Sequence, residues 1–586
     1  MDVKKDEIFG RRISAEDLLP ASSSKLSFML RRMLAIALLL FPAFVCGATK
    51  PNIVLVTISS ARADRMGFLG SKRSVTPSLD ALARHCIVFE QAYAQAPTTA
   101  VSHATILSGT YPQTHHVTEF ATVPLPNSLP YLPDVLKSAG YRTGAFAGSE
   151  ALDPKNGFTP GFDRGFVVYD AGLDAAQSRH SRASQGKEVM VRALAWLEQD
   201  SHGPFFLWIQ MDADASSGAA YESAISAADG AVGRLITALR TQKLFEGSLV
   251  VVTSDHGSSL GAHGEAAHGL FLYDETVHVP LLIKPPQGGE AAQRVRARVP
   301  LVNLAPTILE IAGLPVPSQM QGQSLLRIAK GNAPEQPIYS RNDYSAQAFG
   351  LSPLESWRAG KFLYIRAPQP ELYDLSTDPA AARNLAQTSK GTLETMASQL
   401  ASFDQHLSSG GGQATALTSS QMQKLASLGY VGLQKAAGTA DTPVSGTDPK
   451  SATALVRTAV AAEALLGEAK PDKAQVTLEP MMTAAAGMYL AQYVMGVALL
   501  EQGKYAQAIP YLHRAIELQA NSPWVHYRMG EALLKTRDYQ TAAIHLEITG
   551  ERLPNFAAGH ALLAQVYDHL GKSEDAKRER TKAMLP

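Results

Sequence analysis

Residues 248–269, SLVVVTSDHGSSLGAHGEAAHG, join an apolar run to a glycine-rich segment that holds one Asp and three His. The run 248–254 has no charged residue, as expected of a strand that is covered on both faces of a sheet. In open α/β sheets, ligands bind beyond the carboxyl ends of such strands. Asp255 and His256 are therefore candidate ligands of a metal, and other strand ends must supply the rest of the site.

Three further runs have the same character: NIVLVTI (52–58), PFFLWIQ (204–210) and VPLLIK (279–284). Between two of the runs, apolar residues recur at helical spacing, at Val232, Leu235, Ile236 and Leu239. This alternation predicts an α/β fold in which helices cover both faces of a sheet. The residues that directly follow the runs are then candidate site residues: Ser59, Ser60, Asp212, Asp214, Asp255 and His256.

Length and composition limit the possible functions. A chain of 586 residues is too long for one hydrophobic core and implies two or more domains. With 53 basic and 53 acidic residues, the chain has no overall charge that would attract nucleic acid, so no nucleic-acid partner is expected. Two Cys, Cys46 and Cys86, cannot form a disulfide framework.

The segment MLRRMLAIALLLFPAFVCGATK (29–50) is typical of an export signal, because two Arg precede a short apolar stretch that ends in small residues. We expect residues 1–48 to be an N-terminal extension and signal peptide, cleaved after Ala48, which makes the protein periplasmic or extracellular. A lipid-modified Cys46 and an uncleaved membrane tether are alternatives. Translation that starts at Met29 or Met33 would explain the polar residues 1–28.

Several ordered blocks carry a resemblance to a known family. They include PNIVLVTI, TPSLDALA, AYAQAPTTAVSHATILSGTYPQTH, GYRTGAFAG, SDHGSSLGAHGEAAHGLFLYDETVHVPLLIK, LAPTILEIAGLP and ELYDLSTDP. Together they resemble a sulfatase-type domain of the alkaline phosphatase superfamily, over residues 51–405. The resemblance implies the sulfatase/alkaline-phosphatase-like sheet and a hydrolase of sulfate or phosphate esters.

The resemblance also implies site residues. In the family, the first strand ends in an Asp that binds a divalent metal, and Ser59 stands at that position. The nucleophile motif C/S-x-P-S-R is matched by TAVSH, which places Thr99 at the nucleophile and His103 at the Arg. Asp255 and His256 match a later metal pair. His268 matches a position that contacts the transferred group or a second metal.

The implied site therefore has Thr99, His103 and His268 as catalytic groups. Asp255, His256 and Thr99 would bind calcium, manganese or zinc, held weakly or not at all because Ser59 brings no charge. An H-x-x-D-P-H pattern of related proteins is also missing, since Gln210, Ala213 and Ala215 occupy its polar positions. Asp212 and Asp214 are alternative carboxylate ligands for a metal that lies beside the usual position in the family.

Three residues also have structural explanations. Thr99 is a candidate N-cap of the helix that VSHATIL predicts, and a helix N-terminus also stabilises a bound anion. His263 lies in a Gly-flanked segment where a surface His has no function. Asp64 follows Ser59 closely and is expected to be structural.

Residues 406–450 have the Gly, Ser and Thr content of a linker. Beyond residue 451 the chain shows a repeat of 34 residues, because Gly496 and Gly530, Tyr505 and Tyr539, and several Ala recur at that interval. This pattern resembles the tetratricopeptide repeat, with clear repeats at 489–522 and 523–556 in an array over 451–586.

Such an array predicts a protein or peptide partner, with self-association as an alternative. Trp524, Tyr527 and His526 are candidates for either its groove or its core. We expect the repeats to bury their apolar faces against one another and to fold alone as an all-α solenoid.

Two hypotheses about function follow. The first is an exported hydrolase of sulfate or phosphate esters with a degraded metal site. Because Thr99 cannot form the aldehyde hydrate of typical sulfatases, this enzyme would cleave phosphodiesters by attack of Thr99. The second is an inactive sulfatase-like scaffold or binding protein, favoured by the residues at Ser59 and Gln210.

Overall fold

A computed structural model describes residues 50–119, 124–154, 159–171, 182–199, 203–214, 218–287, 293–332, 334–408 and 446–584, together with Leu425 and Leu428. The chain divides into two units, Met1–Lys50 and Pro51–Pro586. The predicted signal peptide with Cys46, the residue Ala215 and nearly all of the predicted linker lie outside the described residues. In the described part of the chain, no helix has the length and apolar character needed to cross a membrane.

The first eight strands form one sheet, in the order β4-β3-β5-β1-β6-β7-β2-β8. Their bounds are Asn52–Ser59 (β1), Ile87–Tyr93 (β2), Arg142–Phe146 (β3), Val168–Asp170 (β4), Phe205–Asp212 (β5), Ser248–Thr253 (β6), His278–Lys284 (β7) and Gln293–Pro300 (β8). Strands β5, β1 and β6 are parallel neighbours at the centre. Their carboxyl ends therefore meet at one edge of the sheet, as the apolar runs predicted.

Helices cover both faces of this sheet. They are Pro77–Ala83 (α1), Thr99–Ser108 (α2), Pro112–His115 (α3), Leu132–Ser138 (α4), Arg182–Gln199 (α5), Gly218–Thr241 (α6), Asp274–Val277 (α7), Leu304–Ile311 (α8), Leu325–Ala329 (α9) and Tyr344–Phe349 (α10). Alternate residues of β1 enter different cores, since Ile53 packs in one and Val54 in the other. The predicted stripe on α6 is confirmed, because Val232 and Leu235 are buried against the sheet.

A second, antiparallel sheet follows, in the order β12-β11-β10-β9. Its strands are Ile338–Asn342 (β9), Leu354–Ala359 (β10), Phe362–Arg366 (β11) and Glu371–Asp374 (β12). Helix Lys390–Ser408 (α11) covers it through a small separate core that includes Met396, Leu400 and Trp357. The sequence did not predict this sheet, because its strands are short and carry many polar residues.

Helices Thr453–Gly467 (α12), Pro471–Leu478 (α13), Tyr489–Glu501 (α14), Tyr505–Leu518 (α15), Pro523–Lys535 (α16), Tyr539–Arg552 (α17), Ala557–His569 (α18) and Ser573–Ala583 (α19) form the C-terminal array. Each clear repeat in the sequence corresponds to one helix pair. The recurring Gly allows close packing, because a Cβ added at Gly530 would lie 2.5 Å from Leu546 Cγ. His526 is fully buried and belongs to the core, whereas Trp524 and Tyr527 are partly exposed.

The start of the array packs against the preceding domain. Helix α14 contacts α10, and Gln519 Nε2 donates a hydrogen bond to the Gln347 carbonyl at 3.2 Å. Lys450 Nζ lies 2.8 Å from Glu371 Oε1 on β12. One hydrophobic core runs from the large sheet into the array. The expectation that the repeats pack only against one another is therefore wrong for the first helices.

Candidate functional site

A chain of hydrogen bonds connects the carboxyl ends of β1, β5 and β6. Ser59 Oγ donates to Asp255 Oδ2 at 2.8 Å, and Gln210 Nε2 donates to Ser59 Oγ at 2.8 Å. Gln210 Oε1 accepts from the backbone N–H of Gly148 at 2.8 Å. Because a backbone N–H can only donate, this last bond fixes the amide so that its NH₂ group faces Ser59. We call Ser59, Gln210 and Asp255 the closed half of the site.

Asp255 is the carboxylate at the end of this chain. Its Oδ1 accepts from the backbone N–H of His256 at 2.8 Å, and its Oδ2 lies 3.4 Å from His103 Nδ1. Burial acts to raise the pKa of Asp255, but the rings of His256 and His103 and the Ser59 hydrogen bond outweigh it, so the pKa is lowered. Asp255 is thus a fully buried carboxylate whose oxygens already have partners inside the protein.

Thr99, His256 and His268 form the second, open half of the site. Thr99 begins α2, and its Oγ1 lies 3.1 Å from His256 Nε2. His256 Nδ1 donates to the Gly257 carbonyl at 2.9 Å, so Nε2 of the neutral ring can accept the Thr99 proton. Thr99 and His268 are partly exposed, which gives this half access to solvent.

His268 reaches this half from the loop after β6. Its ring centroid lies 4.2 Å from that of His256, and its Nδ1 donates to the Pro97 carbonyl at 3.2 Å. Burial and the His256 ring lower the pKa of His268, against the opposing effect of Asp214 and Asp255. The His256 and His268 rings therefore lie side by side at the opening.

His103 lies in the interior, away from the open half. Its Nδ1 donates to the Thr99 carbonyl at 2.8 Å, one turn earlier in α2, and its Nε2 lies 2.9 Å from Thr57 Oγ1. The ring is fully buried, and burial lowers its pKa despite the attraction of Asp255. This arrangement gives His103 a structural role between α2 and β1, and its predicted catalytic role stays a prediction.

Glu119 is a site residue that the sequence analysis missed. Its Oε1 accepts from the backbone N–H of Ala100 at 2.9 Å, and it also accepts from Thr98 and from the backbone of Val101. Burial raises the pKa of Glu119 against these hydrogen bonds. The carboxylate thus occupies the N-terminus of α2, where a helix would otherwise bind an anion. No sequence spacing reveals this contact, because Glu119 comes from the segment after α3.

The two alternative carboxylates lie near the open half. Strand β5 ends at Asp212, whose Oδ1 accepts from the backbone N–H of Asp214 at 2.8 Å. Both carboxylates act to raise the pKa of His268, which places them on its side of the site. Ala213 between them is fully buried. Among the residues that the structure describes, no group of three or more His, Cys, Asp or Glu is arranged to hold a metal ion.

The donor set of the closed half does not fit a hard divalent cation. Calcium and similar ions require several oxygen ligands with negative charge. In the closed half Asp255 brings the carboxylate, and the Ser59 O–H and the Gln210 NH₂ are both oriented as donors. A cation at this place would meet hydrogen atoms of Gln210 and of Ser59, the position at which the resemblance implies a carboxylate.

The remaining candidates have structural contacts. Asp64 Oδ2 forms an ion pair with Arg62 at 2.8 Å, as expected for a structural residue. The His263 ring stacks on Tyr273 with centroids 3.6 Å apart. Ser60 is buried with a left-handed backbone, at a φ of 66°, and its Oγ has no hydrogen-bond partner among the described residues.

Three family models match the chain. Residues 51–214 and 210–314 match the Sulfatase family, and residues 266–406 match the family described as N-sulphoglucosamine sulphohydrolase, C-terminal. Residues 499–566 match a tetratricopeptide repeat. The order of these matches is the order that the sequence blocks predicted.

Related proteins include arylsulfatase K of Mus musculus, which is 34% identical over 177 residues, 28% of this chain and 32% of the relative. The match thus spans about a third of that protein's length. An ulvan-active sulfatase of Formosa agariphila is 24% identical over 412 residues, 60% of this chain and 80% of the relative.

Solved structures show the same fold. A phosphonate monoester hydrolase of Agrobacterium radiobacter superimposes with a TM-score of 0.52 at 21% identity, over 61% of this chain and 96% of the other. A 2-O GAG sulfatase superimposes with a TM-score of 0.51 at 18% identity, over 62% and 92%. At these identities the likeness concerns the fold.

Proposed function

Because the chain carries a sulfatase-type domain of the alkaline phosphatase superfamily joined to C-terminal tetratricopeptide repeats, we propose that this domain no longer performs metal-dependent ester hydrolysis. It serves as the scaffold that carries a protein-binding array. The observation that supports this proposal is the closed half of the site, in which Gln210 donates to Ser59 and Ser59 donates to Asp255. Hydrogen-bond donors stand where a metal-dependent hydrolase requires charged ligands.

Glu119 gives independent support. A sulfate or phosphate ester would bring its negative charge to the N-terminus of α2, beside Thr99. There the Glu119 carboxylate already accepts from the backbone N–H of Ala100. An anionic ester must therefore displace the Glu119 side chain before it can bind the N–H group of Ala100 beside Thr99.

The array has the architecture of a protein-binding unit, and its first helices are fixed to the scaffold through α10 and α14. We propose a protein or peptide as its partner, as is usual for stacked helical repeats. The predicted signal at residues 29–50 would place this complex in the periplasm or outside the cell. Fractionation of cells that express the full chain tests that location, and a cytoplasmic pool alone would contradict it.

An exported hydrolase of phosphate esters is the second candidate. The distance of 3.1 Å between Thr99 Oγ1 and His256 Nε2 favours it, because a nucleophile and its base must lie within hydrogen-bond reach. Thr99 Oγ1 would attack the phosphorus of a diester and transfer its proton to His256, while the P–O bond to one alcohol breaks and His256 returns the proton to that alcohol. Water would then hydrolyse the phosphothreonyl intermediate. Sulfate esters would remain uncleaved by the usual sulfatase route, since Thr99 cannot form an aldehyde hydrate.

Turnover assays separate the two candidates. The full chain is purified with calcium, manganese or zinc in the buffer, and release of the aryl alcohol is measured from an aryl sulfate, a phosphomonoester and a phosphodiester. Thr99→Ala is the matched control, since it removes the nucleophile. The scaffold proposal predicts the same background rate for both proteins. Metal-dependent turnover that disappears in Thr99→Ala would refute it and support the hydrolase.

A further inference from the structure

The repeat array places a polar pair at the same point of successive helix pairs. Gln492, His526 and His560 recur every 34 residues on the first helix of each pair. The facing positions on the second helix are Tyr511, His545 and Glu579, with the same spacing. Two of these three places hold a buried polar contact of different chemistry, His526 with His545 and His560 with Glu579, so the second contact is a control for the first.

The middle pair consists of two neutral His side chains. His526 Nδ1 lies 2.9 Å from His545 Nδ1, and His526 Nε2 donates to the Ala520 carbonyl at 3.0 Å. Because the carbonyl can only accept, the neutral His526 ring has its proton on Nε2 and accepts from His545 on Nδ1. Both rings are fully buried between α16 and α17.

The next pair joins a His to a carboxyl group. His560 Nδ1 lies 2.6 Å from Glu579 Oε2, and His560 Nε2 lies 2.9 Å from the Pro554 carbonyl. Both ring nitrogens face acceptors, so both N–H groups of a doubly protonated ring would have a hydrogen-bond partner. Lys582 Nζ also lies 2.8 Å from Glu579 Oε1. A protonated His is thus accommodated between α18 and α19.

The surroundings of the middle pair oppose a positive charge. Burial lowers the pKa of His526 to about 4, Arg552 on α17 lowers it further, and the Ala520 carbonyl acts in the opposite direction. Burial also lowers the pKa of His545 well below its usual value, followed by the effects of His526 and of His513 on α15. Two protonated rings would bring two N–H groups together at 2.9 Å.

We propose that the His526–His545 contact is an acid-sensitive joint, at which α16 and α17 separate when the pair takes up protons. The close contact of Gly530 with Leu546 lies beside this joint and would be lost with it. The helix pair α18–α19 stays closed under the same conditions, because Glu579 Oε2 and the Pro554 carbonyl offer an acceptor to each N–H of a protonated His560 ring. Acidification therefore opens the array in its middle rather than throughout.

The direction of the pH effect follows from proton uptake. An unfolded His binds its proton near pH 6.5, whereas buried His526 does so near pH 4. The joint is fully stable above about pH 6.5 and weakens as the pH falls toward about 4. For each proton that the opened state gains, the equilibrium constant for opening rises roughly tenfold per pH unit.

Hydrogen exchange of the full chain, read by mass spectrometry, tests the proposal at pH 7.5 and pH 5.0. Peptides from α16 and α17 should lose protection by at least about tenfold at pH 5.0 after correction for intrinsic rates. Peptides from α18 and α19 are the internal control and should keep their protection. His545→Glu copies the pair of a His and a carboxyl group and should hold α16 and α17 closed at pH 5.0.

A second variant guards against misfolding of the first. His526→Gln with His545→Tyr copies the pair Gln492 and Tyr511, in which Gln492 Nε2 donates to the Ala485 carbonyl at 3.2 Å. This variant has no titratable group at the joint between pH 5.0 and 7.5, and its α16–α17 exchange should not change with pH. Equal acid-induced exposure of α16 and α17 in the parent and in either folded variant would overturn the proposal. So would equal exposure of both helix pairs in the parent.

Discussion

The two halves of the site differ in what their polar groups contact. In the closed half, Ser59, Gln210 and Asp255 are bonded to one another and to the backbone, and all three are buried. In the open half, Thr99 and His268 are partly exposed, and the His256 Nε2 atom faces a hydroxyl. The difference suggests that the closed half has become part of the core, whereas the open half still has the geometry of a nucleophile and its base.

Replacement of Asp255 should have the largest effect on stability. Asp255→Asn removes a buried charge and leaves donors from Ser59 and His256 facing an amide, so we expect a loss of about 3 kcal/mol in the free energy of unfolding. Thr99→Ala in the open half is the control, with an expected loss of under about 1 kcal/mol. Urea unfolding followed by Trp fluorescence measures both, because Trp208 packs against His103. Equal losses would remove the distinction between the halves.

The loop that carries His268 should respond to pH through Glu265. This side chain is buried and accepts from the backbone N–H of Leu270 at 2.6 Å, and burial raises its pKa to about 8. Because the pKa of Glu265 is raised in the folded protein, its contribution to the stability of the fold is complete below the pKa of an unfolded Glu. That contribution is lost as the pH rises toward 8. Between pH 6 and 7.5 the parent should therefore lose about 2 kcal/mol relative to Glu265→Gln.

Thermal unfolding of both proteins across this pH range measures the difference. Glu265→Gln keeps an oxygen for the Leu270 N–H and has no charge to lose, so its stability curve should be flatter. If the two proteins show parallel pH dependence, Glu265 does not hold its proton in the folded state.

Glu119 should give the smallest effect. Its carboxylate satisfies the N-terminus of α2, so Glu119→Ala should increase sulfate affinity by roughly two- to fivefold, the range expected for one charge at a helix end. Glu119→Gln distinguishes the effect of the negative charge from the effect of a side chain that fills the N-terminus of α2, because it removes the charge and keeps an acceptor oxygen. Titration with sulfate, followed by the melting temperature, measures the change. Unchanged sulfate affinity in both variants would mean that Glu119 does not compete with an anion.

The sequence predicted the parts of the fold that depend on local pattern. The runs 52–58 and 248–254 became central strands, and the stripe on α6 became buried, because apolar periodicity directly reflects burial. The sequence did not predict the direction of the strands or which strands pair. Strand β7 is antiparallel to β6, although its apolar sequence resembles those of the mutually parallel strands β5, β1 and β6. The 34-residue period predicted the helix pairs, but not their packing against α10.

The sequence named the candidate site residues, and their roles stay predictions. Thr99, His256 and His268 come together at the strand ends as the resemblance implied. The sequence could not show that Gln210 orients its amide through Gly148, since that bond joins residues 62 positions apart. The contact between Glu119 and Ala100 was missed for the same reason. Contacts between distant segments depend on tertiary packing, which no local spacing encodes.

Calorimetric titration of the full chain with calcium, manganese and zinc tests the central claim, that donors of the closed half exclude a divalent cation. Ser59→Asp is the matched variant, because it adds a carboxylate beside Asp255 and so supplies a second charged ligand. The account predicts no saturable binding at this site in the parent and measurable binding in Ser59→Asp. Stoichiometric binding by the parent that is lost in Asp255→Asn would contradict it.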